Sequence, residues 1–386
     1  MLALRLVRSA EPLVLLRRLM VAAASAAVGF LLLSALGYAM GHPGHPTGAR
    51  LHLLWCAVPL AAAVHFAVSV ARTDPSARPR SGMTAAGLGP AGLAGLAALS
   101  TALSCTLGSV VALLLFLQLR GDIAGLPLDG AAAGLLGAGA RLPLAGTLTL
   151  LAVTPAVATA VSAWVLRPRR AREPAGPQRA DGAPAAAPNG LPWGVALVAA
   201  GIAVETYYGR HPGSTPLPVP GRFDGSPAGV LAGWTLTALG LALAGPGLTH
   251  LCGRLLQAVR PGGVRLLAGR VLQAEARRIG RPLGVVCAVL SGIVAAASLN
   301  GTGQRLYGPL TELGAAVVVA CTVATLLTAV RQAKQERTDE TRSLLRVCAP
   351  AGVLRTAAAV RAAAVFALFA AVTGAVSALA AAPLSG

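Results

Sequence analysis

Apolar residues run along this chain in long blocks, broken by short polar segments rich in Arg, Gly and Pro. Most blocks are about 17–25 residues long, the length of helix that crosses the hydrocarbon core of a bilayer. Nine can be read, at roughly 19–40, 51–71, 92–117, 143–166, 192–208, 228–247, 282–299, 312–330 and 357–381. The pattern predicts an all-α polytopic membrane protein with about nine transmembrane helices. The fifth block is short and ends in "ETYYG", and the sixth contains Pro246. The first follows a basic amphipathic segment. It is too long for the apolar region of a cleaved signal, so it reads as the first span.

Composition agrees. The 386 residues are 55% hydrophobic and only 12% charged, against about 25% charged in soluble domains. Mean hydropathy is +0.70. Aromatic residues are scarce, and abundant Ala and Gly suit close helix–helix contact in lipid. A net charge of +19 would suggest nucleic acid in a soluble protein. Here the basic residues fall in loops on one side, which implies a lipid bilayer as partner and no nucleic acid. With the N-terminus cytoplasmic, 26 of the 32 basic residues lie on the cytoplasmic side and 6 outside. The positive-inside rule therefore selects that orientation. The expected location is a bacterial cytoplasmic membrane, with the C-terminal segment outside.

Little conventional site chemistry is present. Cys56, Cys105, Cys252, Cys287, Cys321 and Cys348 show no C-x-x-C spacing. Most fall in apolar blocks, where Cys acts as a small hydrophobe, so neither a disulfide framework nor a zinc site is expected. No G-x-x-x-x-G-K-[ST] segment occurs, so the chain has no P-loop of its own for ATP. Metalloprotease and nucleophile-elbow motifs are missing too. The expectation is a non-enzyme without cofactor or metal.

Ionisable residues within spans are costly and mark functional candidates. His65 in the second span reads as a neutral imidazole bonded to a neighbouring helix, with a proton relay as the alternative. Glu205 reads as interfacial beside Tyr207 and Tyr208, with a transport carboxylate as the alternative. Glu312 falls at the outer edge of the eighth span. His42, His45 and His52 cluster around the first external loop and read as a wet loop rather than a metal site. Gly225, Gly229 and Gly233 make two overlapping G-x-x-x-G steps entering the sixth span.

The chain also looks internally repeated. Pro90-Ala91-Gly92-Leu93 matches Pro350-Ala351-Gly352-Val353 at a shift of 260 residues. A charged segment precedes each, "ARTDPSARPRSG" and "RQAKQERTDETR", and a span precedes each of those. Paired arginines, Arg17-Arg18 and Arg277-Arg278, precede the first span of each half. The organisation expected is a first half at 1–166, a low-complexity cytoplasmic linker at 167–190, a two-span connector at 191–261 and a second half at 262–386.

The repeated segment resembles the FtsX/MacB-like permeases, the membrane subunits of ABC transporters. That family carries a charged cytoplasmic helix between two spans, in which Arg and Glu are followed by Leu-Leu-Arg. The second half keeps Leu344-Leu345-Arg346, and the first keeps Leu88-Gly89 ahead of Pro90. The resemblance implies contact with a separate cytosolic P-loop ATPase, a dimer of which would supply the ATP chemistry. It makes Arg78, Arg80, Leu88, Gly89 and Pro90 coupling candidates in the first half. Glu340, Arg342, Leu344, Leu345, Arg346 and Pro350 are their counterparts in the second. Physically, Leu344 and Leu345 can enter an apolar groove while Arg342 and Arg346 meet acidic groups. The implied function is export or extraction of an amphipathic substrate, or mechanotransmission. Departures are plain: the external loops "GHPGHPTGARLH" and "NGTGQRLYGP" hold no domain, and the second half has three spans where the family unit has four. A non-transport scaffold or sensor is the alternative. A secondary transporter is a third reading and would need His65 or Glu205.

Overall fold

A computed structural model describes residues 12–42, 44, 46–73, 90–122, 130–134, 136, 142–167, 188–210, 216–219, 223–258, 262–299, 309–336 and 351–381. Among them are nine helices: α1 (Pro12–Gly41), α2 (Pro46–Thr73), α3 (Pro90–Arg120), α4 (Leu144–Leu166), α5 (Gly190–Arg210), α6 (Ala228–Ala258), α7 (Gly263–Leu299), α8 (Pro309–Glu336) and α9 (Ala351–Ala381). Two short strands, β1 (Pro216–Val219) and β2 (Phe223–Pro227), pair between α5 and α6. That hairpin is the one departure from an all-helical chain among the described residues.

Four helices, α1, α2, α3 and α8, begin on proline. Proline suits a first helical position because its fixed φ matches the helix and its missing N–H had no partner there. Eight helices are long and apolar enough to cross a membrane: α1–α6, α8 and α9. Their outward faces remain apolar. On α3, Leu99, Leu103, Leu107 and Leu114 recur at helical spacing and are all exposed, a stripe suited to lipid and not to water. The chain is an all-α polytopic membrane protein.

α7 joins two stretches that differ in chemistry. The basic segment ahead of the seventh apolar block and the block itself form one helix of 37 residues. At 1.5 Å per residue it is about 55 Å long, against a hydrocarbon core of about 30 Å. It is not among the candidate spans, so the described residues hold eight where the sequence suggested about nine.

The chain divides into two compact units. The first contains Met1–Ala175, Pro218–Phe223 and Tyr307–Thr325; the second contains Gly176–Leu217, Asp224–Leu306 and Leu326–Gly386. In the first, α1 is central and packs against α2, α3 and α4. Val28, Leu31, Leu32, Phe66 and Cys105 are buried in one cluster, which Val317, Cys321 and Ala324 of α8 join. A second cluster holds Leu33, Ala112, Phe116 and Leu136. Leu136 belongs to the segment between α3 and α4 and is 1% exposed, so that segment contributes to the core.

Proline inside α4 shows how the first unit is stitched. Pro155 has no N–H for the Leu151 carbonyl four residues back. The Ser109 hydroxyl on α3 donates to that carbonyl at 3.0 Å. Ser25 on α1 likewise donates to the Cys105 carbonyl at 2.9 Å.

In the second unit, α6 lies between α5 and α7, and α7 also packs against α9. The helices read above as a connector, α5 and α6, are integral to this unit. Glycines line both contacts. Gly194, Val198, Gly201 and Glu205 share one face of α5 by spacing. A Cβ added at Gly194 would lie 2.5 Å from the Ala244 nitrogen of α6. On the other side of α6, a Cβ at Gly245 would collide with the Gly280 carbonyl of α7. Gly225 lies in β2, so the three glycines noted above do not form one helical stripe. Gly233 does meet α5: a Cβ there would lie 2.7 Å from the Gly201 carbonyl.

Candidate functional site

The coupling candidates Arg78, Arg80, Leu88, Gly89, Glu340, Arg342, Leu344, Leu345, Arg346 and Pro350 lie outside the described residues. Pro90 is the first residue of α3. What the structure gives is the frame around these segments. α2 and α8 are each 28 residues long, and α3 and α9 are each 31. One charged segment falls between α2 and α3, the other between α8 and α9. Pro90 is the first residue of one 31-residue helix, and Ala351-Gly352 open the other.

In both triplets, α1–α2–α3 and α7–α8–α9, the first helix packs against the third. Ala26 and Ala112 are buried in the cluster between α1 and α3. Cys287 of α7 and Thr373 of α9 meet at 3.1 Å. Both members of the second pair are 261 positions beyond the first, one more than the shift of the sequence repeat. The correspondence does not extend to α8, whose first part packs with α1 and α2 in the first unit.

Basic and acidic groups meet in the second unit. On α7, Arg265, Arg270, Arg277, Arg278 and Arg281 are exposed, whereas Ala268, Leu272, Glu275 and Ala276 on the other face are buried. Arg361 of α9 pairs with Glu275 at 3.5 Å. Arg361 was counted above with the cytoplasmic residues, but it lies inside the apolar span Gly352–Ala380. Its neighbours are all alanine or valine, so only the charge itself could have flagged it.

The most unusual polar group is Glu205. The sequence suggested an interfacial position, yet the residue is 1% exposed. α6 covers it, because Gly201 and Gly233 let the two backbones touch. Trp234 on α6 donates its indole N–H to Glu205 Oε1 at 2.5 Å. The other oxygen, Oε2, is buried with no hydrogen-bond partner, as is the Thr237 hydroxyl one turn along α6. Trp234, Thr237 and the glycine crossing were not singled out from sequence. The signal was there in the shared spacing of Gly201 with Glu205 and of Gly233 with Thr237.

The other ionisable candidates are less enclosed. His65 is exposed on α2 rather than bonded to a neighbouring helix. Glu312 is exposed in the first turn of α8. Tyr38 stacks with His42 at 4.4 Å and lies 4.2 Å from His52, ring centre to ring centre; His45 is outside the described residues. Among the described residues no three His, Cys, Asp or Glu side chains are grouped to hold a metal. Cys56, Cys105, Cys252, Cys287 and Cys321 are buried free thiols, and Cys348 lies outside the described residues.

Fold and sites together define a multi-pass helical membrane protein in which, among the described residues, Glu205 and Glu275 are buried carboxyl groups. No family model, no curated protein and no solved structure matches the chain.

Proposed function

We propose that the chain is the membrane-spanning permease subunit of an ABC-type transporter, working with a separate cytosolic P-loop ATPase. The reading is carried by the paired triplets: α2 matches α8 at 28 residues, α3 matches α9 at 31, and α1 packs against α3 as α7 packs against α9. Each has a charged segment ahead of its Pro-Ala-Gly sequence. We take the triplets as copies of one ancestral unit and the charged segments as docking elements on the cytoplasmic side. ATP-driven closure of the ATPase would press on those segments, and α3 and α9 would carry the movement into the bilayer. An amphipathic molecule is the substrate class that suits a protein without an external capture domain.

The test is purification from the native membrane in mild detergent, comparing the natural chain with a Leu345→Glu, Arg346→Glu double variant. The expected result is a P-loop ATPase that accompanies the natural chain and is lost from the variant, while the variant still inserts. A chain that comes alone, or an ATPase retained by the variant, would overturn the docking role and leave the membrane scaffold as the better reading.

A further inference from the structure

We propose that the α5–α6 crossing is a proton-binding site, in which Glu205 Oε2 holds a proton exchangeable with the solution at the α5–α6 loop. This goes beyond the permease reading and needs no ATPase.

The argument begins with enclosure. Glu205 is 1% exposed and lies within the apolar span Gly190–Tyr208. A carboxylate there, with one hydrogen bond and no cation, bears a large desolvation cost. The indole of Trp234 satisfies Oε1, and Oε2 has no partner. Among the described residues no ion pair reaches it. On α5 the nearest titratable groups are Tyr207, Tyr208 and Arg210. On α6 they are His250 and Arg254, at least 16 residues from Trp234, or about 24 Å along the axis. α9, the other helix packed against α5, carries only Arg355 and Arg361. Arg361 is engaged with Glu275 of α7.

Space then selects the ligand. A Cβ at Gly233 would lie 2.7 Å from the Gly201 carbonyl and 2.9 Å from Glu205 Cβ. A Cβ at Gly201 would collide with the Thr237 hydroxyl. Backbones this close leave no chamber for a metal ion with several ligands, and a single carboxyl with one hydroxyl is a poor donor set for one. A proton needs no volume and removes the charge. Access is short as well: Glu205 is three residues from the end of the span at Tyr208, about one helical turn.

The site binds H+ from solution, and losing it leaves a charge in the crossing. Proton occupancy therefore tightens the contact between α5 and α6. The experiment uses the full chain in lipid vesicles, treated with a hydrophobic carbodiimide that reacts with protonated carboxyl groups, with adducts located by mass spectrometry. The expected result is labelling of Glu205 that falls on alkalinisation, by about tenfold per pH unit once the proton is lost. Trp234→Phe removes the bond that favours the charged form, so labelling should persist to higher pH. The carbonyl stretch of a protonated carboxyl should appear in infrared spectra and be missing from Glu205→Gln. Labelling independent of pH, or protection by sodium or potassium, would overturn the proposal. So would the absence of both the adduct and the acid band.

Discussion

The two units reach close packing by different mixtures of side-chain and glycine contact. In the first, α1 meets its neighbours largely through side chains: Phe116 lies edge-on to Phe30 at 6.2 Å, and Leu33, Phe66 and Phe116 are almost wholly enclosed, while Gly108 of α3 admits one close backbone approach, where a Cβ would collide with the Ala22 carbonyl of α1. In the second, α5, α6 and α7 meet backbone to backbone through glycine. Lipid is as apolar as leucine, so neither contact is driven by escape from water. Association must come from van der Waals fit and polar stitching. Bulky interdigitation obtains that fit by filling space, and glycine by removing what would hold the helices apart. The large enclosed side chains of the first unit should thus be sensitive to truncation, and the glycine crossings of the second to enlargement.

The largest effect expected is Phe116→Ala. It empties the centre of the cluster that includes Leu33 and Leu136 and should cost about 3–5 kcal/mol, read from reversible unfolding in mixed micelles. Next is Gly245→Ala, a single methyl driven into the Gly280 carbonyl, expected to cost about 1–3 kcal/mol. Gly292→Ala is its control, since nothing lies within 4 Å of a Cβ there, and it should be neutral. Equal tolerance at Gly245 and Gly292 would break the comparison. The smallest is Ser109→Ala, which takes from the Leu151 carbonyl the donor that replaces the N–H missing at Pro155. It should cost about 1 kcal/mol, and a loss no larger than that of Ser25→Ala would mean that Pro155 has no bearing on the bond.

The spans were legible because lipid demands apolar length. The observed helices keep the expected blocks and extend several of them: the block read at 228–247 continues as α6 to Ala258. Extension past the apolar block was not legible, because a basic segment such as Arg277–Arg281 reads as loop until a neighbouring helix buries its other face. Glu205 was visible as a residue but not as a buried one. Its enclosure depends on Gly233, which lies 28 positions later, and in a chain with 46 glycines no single glycine announces a crossing. Arg361 escaped notice for a related reason, since its partner Glu275 is on another helix. The charged segments at 74–89 and 337–350 were readable only as local patterns, and their placement rests on the helices that flank them.

The pairing of Arg361 with Glu275 also bears on how the chain is made. Synthesis runs from the N-terminus, so α7 leaves the ribosome before α9. The carboxylate is therefore in place when the arginine-bearing helix arrives. An arginine within an apolar span opposes insertion, by about 2.5–3.5 kcal/mol at the helix centre and less toward an end, whereas one that arrives beside a waiting anion is received as half of a pair. The order of the helices along the chain is thereby an assembly schedule, in which the last span depends on a predecessor already seated.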